Sequence, residues 1–286
     1  MTRRVHVIGI GTGSAQHLTL EAVQAIRATT VFLAADKGGD TAEILDLRRE
    51  VVRTAREQSA SGAGPDSSAP SPSDASPLED SPLHTPSGYR FVTVPDPTRG
   101  PDAERTDQNY RRGVRNWHRA RVEAYAEIIG GLAEDEVVGF LVWGDPAFYD
   151  STLRIVDALR ESFDLDVRVY PGIGAVQALA AAHQIVLNPI GGSIHVTTGR
   201  RLLEEYTPAL GTVVVMLDGS LHCAELVRDW PDLHLYWGAY LGSPHQVLVS
   251  GRLDEAIDPL RERRAQLRAE HGWLMDTYAL TPVPLG

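Results

Sequence analysis

The stretch that decides the fold is VVGFLVWGDPAFYDST, residues 137–152. A strand-type apolar run, Val137–Val142, ends at the turn Gly144-Asp145-Pro146, and a predicted helix begins shortly after Tyr149. A buried parallel strand with such an ending places backbone amides, a carboxylate and aromatic rings at the carboxyl edge of a sheet, where open α/β sheets bind ligands. Ordinary turn chemistry explains Gly-Asp-Pro equally well. The segment by itself therefore leaves both a ligand site and a simple connection open.

Size and composition indicate a globular protein of two domains. The chain has 286 residues, of which 43% are hydrophobic and 23% are charged, enough for two domains of roughly 100–150 residues each. The net charge of −11 disfavours nucleic acid as a partner, because phosphate binding needs a basic surface.

The sequence also predicts where the protein resides. No apolar run approaches the roughly 18 residues that span a bilayer, and MTRRVHVIGIG at the start carries no small-residue cleavage site. We therefore expect a cytoplasmic protein without a membrane partner. The single cysteine, Cys223, excludes an internal disulfide and disfavours a thiolate metal site, so no metal is predicted.

Strands alternate with helices along the chain, a pattern typical of α/β folds with mainly parallel or mixed sheets and helices on both faces. The predicted strands are 5–10, 30–34, 89–94, 137–143, 167–170, 193–197, 212–217, 233–240, 246–250 and 275–280. The predicted helices are 18–28, 41–55, 106–130, 151–161, 174–183 and 254–270, with shorter ones near 201 and 221.

The turn-rich cluster Asn188–Gly192 is interpreted as a junction between domains. It predicts an N-terminal α/β domain over residues 1–187, a C-terminal α/β domain over 188–286, and a cleft between them. Residues 58–88 are rich in Ser, Pro, Ala, Gly and Asp, and we expect them to form a disordered insertion with almost nothing to bury.

The glycine-rich segment Gly9–Gly13 follows the first strand and precedes a helix. Such a loop can bring backbone amides to a pyrophosphate, and Asp36 lies near the distance expected of a ribose-binding acid. However, Ser14 occupies the place of the third glycine, and a tight turn that needs positive φ explains the glycines equally well. A dinucleotide-dependent oxidoreductase is therefore an alternative from another class.

Several further strands end in comparable turns. In chain order the motifs are G-I-G-x-G at 9–13, G-D-P-x-x-Y at 144–149, Y-P-G-I-G-A at 170–175 and V-V-x-M at 213–216. This ordered set resembles the tetrapyrrole methylase family, the class III S-adenosylmethionine (SAM) methyltransferases, from Val5 to about Gly251. The resemblance implies a two-domain fold, SAM as cofactor, S-adenosylhomocysteine as product, a small-molecule tetrapyrrole substrate and a homodimer.

The resemblance also implies which residues bind the cofactor. They are Trp143, Gly144, Asp145, Phe148, Gly174, Ala175, Met216, Tyr240 and Leu241. The chain departs from the family pattern at Thr12, commonly Pro, and at Gly174, often Thr or Ser. An aspartate that serves as a base in some relatives falls at Ala35, one residue before Asp36.

A second set of residues is similar to the branch of the family that couples methylation of a precorrin to the release of acetate. These residues are Asp36-Lys37-Gly38, Leu47-Arg48-Arg49-Glu50, Val94-Pro95-Asp96-Pro97, Tyr110, Trp117, His118, Arg121 and Tyr125. Another precorrin methylase, or a relative acting on diphthine or ribosomal RNA, is the alternative within the fold. An RNA substrate is disfavoured by the acidic balance.

Removal of an acetyl group by water needs a general base and donors to the developing oxyanion. Asp36, His118 and Tyr149 are the candidate catalytic residues, with His245 as a further base, although each could equally have a structural role. Arg111, Arg115 and Arg119 recur on one helix face and could bind substrate carboxylates, or form a solvated face with i,i+4 charge pairs. Gly11 and Thr12 are also assigned to the substrate side.

Overall fold

The computed structural model describes residues 2–36, 42–57, 88–96 and 107–285. The chain forms two compact units, one of Met1–Ile10 with Leu18–Gly172 and one of Gly11–His17 with Ile173–Gly286. Each unit is built on a five-stranded sheet with helices packed against it, which confirms the predicted α/β fold class. The predicted insertion at 58–88 lies outside the described residues except for Gly88.

The first unit is a parallel sheet with the strand order β3-β2-β4-β1-β5. Its strands are β1 (Thr2–Gly9), β2 (Val31–Asp36), β3 (Arg90–Pro95), β4 (Val137–Val142) and β5 (Asp164–Tyr170). Its helices are α1 (Leu20–Ala28), α2 (Ala42–Glu57), α3 (Asp107–Gly130) and α4 (Thr152–Leu159). Helices α1 and α2 contribute to the apolar core on one face, and α3 and α4 to the core on the other. Every residue of β4 is buried as a result, which explains its continuous apolar sequence.

The second unit is a mixed sheet with the order β6-β7-β10-β8-β9, in which only β6 and β7 pair in parallel. Its strands are β6 (Ile194–Thr198), β7 (Thr212–Met216), β8 (His234–Ala239), β9 (Val247–Arg252) and β10 (Asp276–Thr281). Its helices are α5 (Ala175–His183), α6 (Gly199–Glu205), α7 (Cys223–Leu226) and α8 (Leu253–His271). One core contains residues of α6, α7 and α8, and the other contains residues of α5.

Every predicted strand overlaps a strand of the structure. Helix α5 packs on the second sheet, because its residue Leu179 belongs to the same core as Val214 and Tyr236, whereas the sequence assigns this helix to the N-terminal domain. A domain boundary at 187 and 188 thus remains a proposal, while the compact units change between Gly172 and Ile173. Among the described helices, none combines the length and apolarity that crossing a bilayer requires.

Candidate functional site

Three strand ends of the first unit meet backbone to backbone. Gly9 ends β1, and Gly144 and Gly172 follow β4 and β5. A Cβ atom at Gly9 would lie 2.6 Å from the Gly172 nitrogen and 2.9 Å from the Gly144 oxygen, and one at Gly172 would lie 2.9 Å from the Gly9 Cα. These separations are too short for a side chain, so only glycine permits this packing. The glycines build a tightly closed carboxyl edge on the first sheet.

The Asp145 carboxylate joins two of these strand ends. One oxygen, Oδ1, accepts a hydrogen bond from the Ala147 amide at 2.8 Å, and Oδ2 accepts one from the Gly172 amide at 2.8 Å. The preceding Gly144 has φ 69°, the left-handed region that favours glycine. Asp145 therefore shapes the turn itself, and because each carboxylate oxygen has a second lone-pair site, it can also accept from a ligand.

Large aromatic side chains are exposed beside this turn. Phe148 is 38% exposed and Tyr149 is 45% exposed, while Trp143 packs partly against the core on the α1 and α2 face. Tyr149 has φ 51°, a conformation that costs a bulky residue energy and is common at ligand sites. Exposed rings next to a rigid polar turn suit an organic ligand with apolar and polar parts.

In the second unit the predicted cofactor residues also lie at strand or helix ends. Gly174 precedes α5 and Ala175 begins it. Met216 ends β7 and is followed by Leu217, which has φ 55° and is 68% exposed. Tyr240 follows β8 with φ 49°.

The ring and backbone of Tyr240 are both anchored. Its hydroxyl donates to the Trp273 carbonyl at 3.0 Å, and its amide donates to the Met275 carbonyl at 2.9 Å. Left-handed residues after both β7 and β8 are the kind of strained backbone that clusters at functional sites.

The loop Gly11–His17 packs against the turn at Leu241 and Gly242. The imidazole of His17 covers Gly242, where a Cβ atom would lie 2.9 Å from Nδ1. The Thr12 hydroxyl, which is buried, lies 3.2 Å from the same Nδ1. Gly13 of the same loop meets the Leu241 carbonyl, so the loop that contains Gly11 and Thr12, predicted to contact substrate, lies beside Leu241, predicted to contact the cofactor.

Structural roles account for the glycines of the Gly9–Gly13 segment without a dinucleotide. Gly9 is required by the meeting strand ends, and Gly11 has φ 77° and lies directly against the His17 Cβ atom. The first turn of α1 is capped by Thr19, whose hydroxyl accepts from the Ala22 amide at 3.0 Å. One of the amides that a pyrophosphate could use is therefore already satisfied by a side chain.

The predicted base residues are spread over different elements. Asp36 ends β2, but its side chain lies outside what the structure describes. His118 lies on α3, half-buried, with its ring 5.2 Å from the ring of Trp117. His245 is exposed, and its ring lies 4.5 Å from that of His271. The choice of a base among these residues therefore stays a prediction.

The predicted arginine face lies on α3. Arg111 and Arg115 are part of this helix, and their side chains are not among the described ones. Arg119 is 73% exposed and pairs with Glu123 at 3.8 Å, one turn further along. Such a pair is the i,i+4 neighbour expected of a solvated helix surface, and it leaves the role of Arg119 in substrate binding a prediction.

Sequence reasoning missed a buried polar network behind the end of β7. Asp218 is 4% exposed. Its Oδ2 accepts from the Tyr278 hydroxyl at 2.6 Å and from the His222 amide at 2.7 Å. Arg264 donates to the Asp218 carbonyl at 2.7 Å and to the Asp276 carboxylate at 2.8 Å. Burial raises the pKa of Asp276, which Arg264 opposes, and raises the pKa of Tyr278.

Only one local signal could have pointed to this network. Asp218 directly follows the apolar run of β7, and a carboxylate at the end of a buried strand needs partners when it is itself buried. Its partners Arg264, Asp276 and Tyr278 lie far along the chain. No local pattern predicts which of them it meets.

A separate cavity of about 680 Å³ lies in the first unit, against α1. Its polar lining comprises Arg4, His6, Glu21, Gln24, Arg168 and Tyr170. Burial lowers the pKa of His6, so this imidazole is neutral at pH 7. The lining contains none of the predicted site residues. Within the part of the chain that the structure describes, no group of three or more His, Cys, Asp or Glu is placed to hold a metal ion.

Fold and strand-end turns together define an α/β protein of the architecture in which small organic ligands commonly bind at the carboxyl ends of strands. The chain matches the model of the Tetrapyrrole (Corrin/Porphyrin) Methylases over residues 4–257, and it belongs to this family. SAM is accordingly its methyl donor, as the sequence predicts.

Known proteins similar to the chain include a curated relative and several solved structures. It is 34% identical to a precorrin-6A synthase [deacetylating] of Sinorhizobium sp, over 97% of this chain and 95% of the relative. A crystal structure of a cobalamin-synthesis-related protein from Corynebacterium diphtheriae has 36% identity and a TM-score of 0.73, covering 99% of this chain and 100% of that one. A cobalt precorrin-4 methyltransferase has 13% identity and a TM-score of 0.61, covering 98% and 96%, and shares the fold.

Proposed function

We propose that this chain is a C-methyltransferase of cobalamin biosynthesis that converts precorrin-5 to precorrin-6A, methylating ring carbon C-1 and releasing acetate. The similarity to a precorrin-6A synthase [deacetylating] over 97% of this chain and 95% of the relative carries the proposal. It extends across both compact units, so it is not confined to a shared cofactor motif. We also propose a cytoplasmic homodimer.

The cofactor-binding residues are proposed unit by unit. In the first unit they are Trp143, Gly144, Asp145 and Phe148, because the closed glycine edge presents an exposed ring beside a carboxylate with free lone-pair sites. In the second unit they are Gly174, Ala175, Met216, Tyr240 and Leu241, which lie at strand and helix ends. These residue types fit an adenosine-containing ligand, which needs apolar contact and backbone hydrogen bonds.

The contribution of the chain to methyl transfer is positioning. Bound SAM supplies a methyl group that is open to attack by a carbon nucleophile. Displacement at that methyl gains most when the reacting atoms are held in line, so rigid turns favour it. The bonds of Asp145 to Ala147 and Gly172 hold the turn after β4 in one arrangement.

Release of acetate requires a second set of groups. Water adds to the acetyl carbonyl, the bond between that carbon and the macrocycle breaks, and its electron pair enters the conjugated ring. A base accepts one proton of the attacking water, and the acetic acid that leaves loses the second proton to solvent as acetate, so no redox partner is needed. Asp36, His118 and Tyr149 are the proposed bases or donors, and Tyr149 is exposed beside the turn after β4.

The substrate side is proposed to involve Gly11, Thr12 and the arginines of α3. Arg119 is 73% exposed, so its guanidinium is accessible to a substrate carboxylate, and Arg111 and Arg115 share its helix face by their spacing. Because the net charge of the chain is −11, attraction of a polyanionic macrocycle must come from such local positive charge.

The test is incubation of the purified protein with methyl-labelled SAM and precorrin-5. We expect labelled product and acetate in equal amounts. Methylation without acetate would assign the chain to another precorrin methylase, and tight NADP binding without methylation would favour the oxidoreductase.

The cofactor site is tested by Asp145→Ala, with Asp157→Ala as the control because Asp157 is 68% exposed on α4. Titration with S-adenosylhomocysteine should show the dissociation constant rise about tenfold or more in Asp145→Ala, since a charged hydrogen-bonding group is removed from the turn. Asp157→Ala should bind like the unaltered protein. Equal affinity of both variants would contradict the role of Asp145.

A further inference from the structure

The Asp218 network lies directly behind the exposed end of β7. Besides its bonds to Tyr278 and His222, the Asp218 carboxylate accepts from the Ser220 amide at 3.3 Å through Oδ1. The His222 Nδ1 lies 2.6 Å from the same oxygen. Both carboxylate oxygens are thus satisfied twice, and three of the four partners belong to the turn that Asp218 itself begins.

Close packing also confines the Asp218 side chain. A Cβ atom at Gly199, the first residue of α6, would lie 2.6 Å from the Asp218 Cβ. The Arg264 side chain, 7% exposed, reaches Asp218 from α8 and pairs with Asp276 on β10. The turn after β7 is therefore fixed from α6, α8 and β10 together.

Burying the charged groups of such a network carries a desolvation penalty, so a role other than net stability is expected. Buried ion pairs are weak contributors to net stability, and apolar side chains of similar volume often do as well or better. Fully satisfied polar networks instead favour one conformation over its competitors. The residue next to Asp218 is Leu217, a bulky residue with φ 55° that is 68% exposed. Strained backbone of this type persists only when the surrounding structure enforces it, and the Asp218 network is part of that surrounding structure.

We propose that Asp218 is a positioning residue for the cofactor: through its bonds to Ser220, His222 and Tyr278 it holds Met216 and Leu217 in the arrangement that receives SAM. This inference rests on the proposed function, in which Met216 contacts the cofactor. A turn held by such a network has little conformational freedom to lose when a ligand binds. Weakening the network should then raise the dissociation constant more than it lowers turnover of the bound complex.

The test is Asp218→Asn. An amide keeps one acceptor oxygen of the two, so either orientation turns an NH2 group toward a backbone donor, the Ser220 or the His222 amide. We expect the dissociation constant for S-adenosylhomocysteine, measured by calorimetric titration, to rise about tenfold. The KM for SAM should rise by a similar factor, whereas kcat at saturating SAM should change by less than about threefold.

Asp229→Asn is the matched control, because Asp229 has the same chemistry in the same unit and is 57% exposed. It should bind like the unaltered protein. If Asp218→Asn does not fold, Tyr278→Phe removes a single bond to Asp218 and should raise the dissociation constant about threefold.

The outcomes separate this inference from the proposed function. Failure of the unaltered protein to bind S-adenosylhomocysteine would overturn the proposed function itself. If the unaltered protein binds and Asp218→Asn, or Tyr278→Phe in its place, binds equally well, the positioning role is wrong. A purely structural role would lower the melting temperature while leaving the affinity of the folded protein unchanged, and that result would also overturn the inference.

Discussion

The meeting of three strand ends in the first unit predicts that Gly9→Ala damages both stability and the candidate site. The new Cβ atom would lie 2.6 Å from the Gly172 nitrogen, 2.8 Å from the Gly172 Cα and 2.9 Å from the Gly144 oxygen. Ordinary contacts between such atoms are about 3.5 Å or longer. All three neighbours are backbone, so no flexible side chain can move aside.

The expected loss in the free energy of unfolding can be worked out from the displacement of the neighbouring backbone. Overpacking of this type costs about 1–3 kcal/mol. Displacing Gly172 also weakens its amide bond to Asp145 Oδ2, now 2.8 Å, and a hydrogen bond to a charged group contributes about 1.5–3 kcal/mol. We expect a loss of roughly 3–5 kcal/mol in the free energy of unfolding, a large part of the ~5–15 kcal/mol typical of proteins.

Urea denaturation followed by circular dichroism measures this loss. Gly130→Ala is the control, because at the last residue of α3 a Cβ atom would meet nothing closer than 3.9 Å. It should leave stability unchanged or raise it by up to about 1 kcal/mol. In Gly9→Ala, affinity for S-adenosylhomocysteine should fall as well. A Gly9→Ala protein within about 0.5 kcal/mol of the control would refute the packing argument.

Two further predictions concern titratable groups. Burial raises the pKa of Cys223 to about 12, so this thiol should be unreactive in the folded protein. At pH 8 a disulfide reagent should label Cys223 only after the protein is unfolded in guanidinium. Labelling of the folded protein at the rate of a free thiol would contradict this prediction. Burial lowers the pKa of His6 below its usual 6.5, so the unfolded chain binds a proton more readily. The stability that neutral His6 contributes is present above about pH 6.5 and is lost as the pH falls below it. The melting temperature should therefore drop less between pH 7 and pH 5 in His6→Gln than in the unaltered protein, and equal drops would count against the role of His6.

Local patterns were sufficient to predict the strands of the part of the chain that the structure describes. The apolar run Val137–Val142 and the amphipathic helices produce periodicities that any window of the sequence contains, and each predicted strand overlaps one in the structure. Sheet order is different. β10 lies between β7 and β8 although it comes last in the chain, and no local periodicity encodes such a pairing.

The same limit applies to helix α5. Its small apolar residues indicate a buried helix face but do not say which sheet that face covers. The structure packs Leu179 against Val214 and Tyr236 of the second unit, a partnership that no local pattern encodes.

For the candidate site, the ordered motifs of the sequence were sufficient to recognise the family and, through that resemblance, the cofactor, because each motif lies within a few consecutive residues. Tertiary structure alone decided what those residues touch. Asp145 bonds to Gly172, and Asp218 bonds to Tyr278. The physical reason is that a hydrogen-bond partner is selected by the way distant segments pack. A sequence motif records the chemistry of a residue, whereas its partner is decided only when the sheets and helices assemble around it.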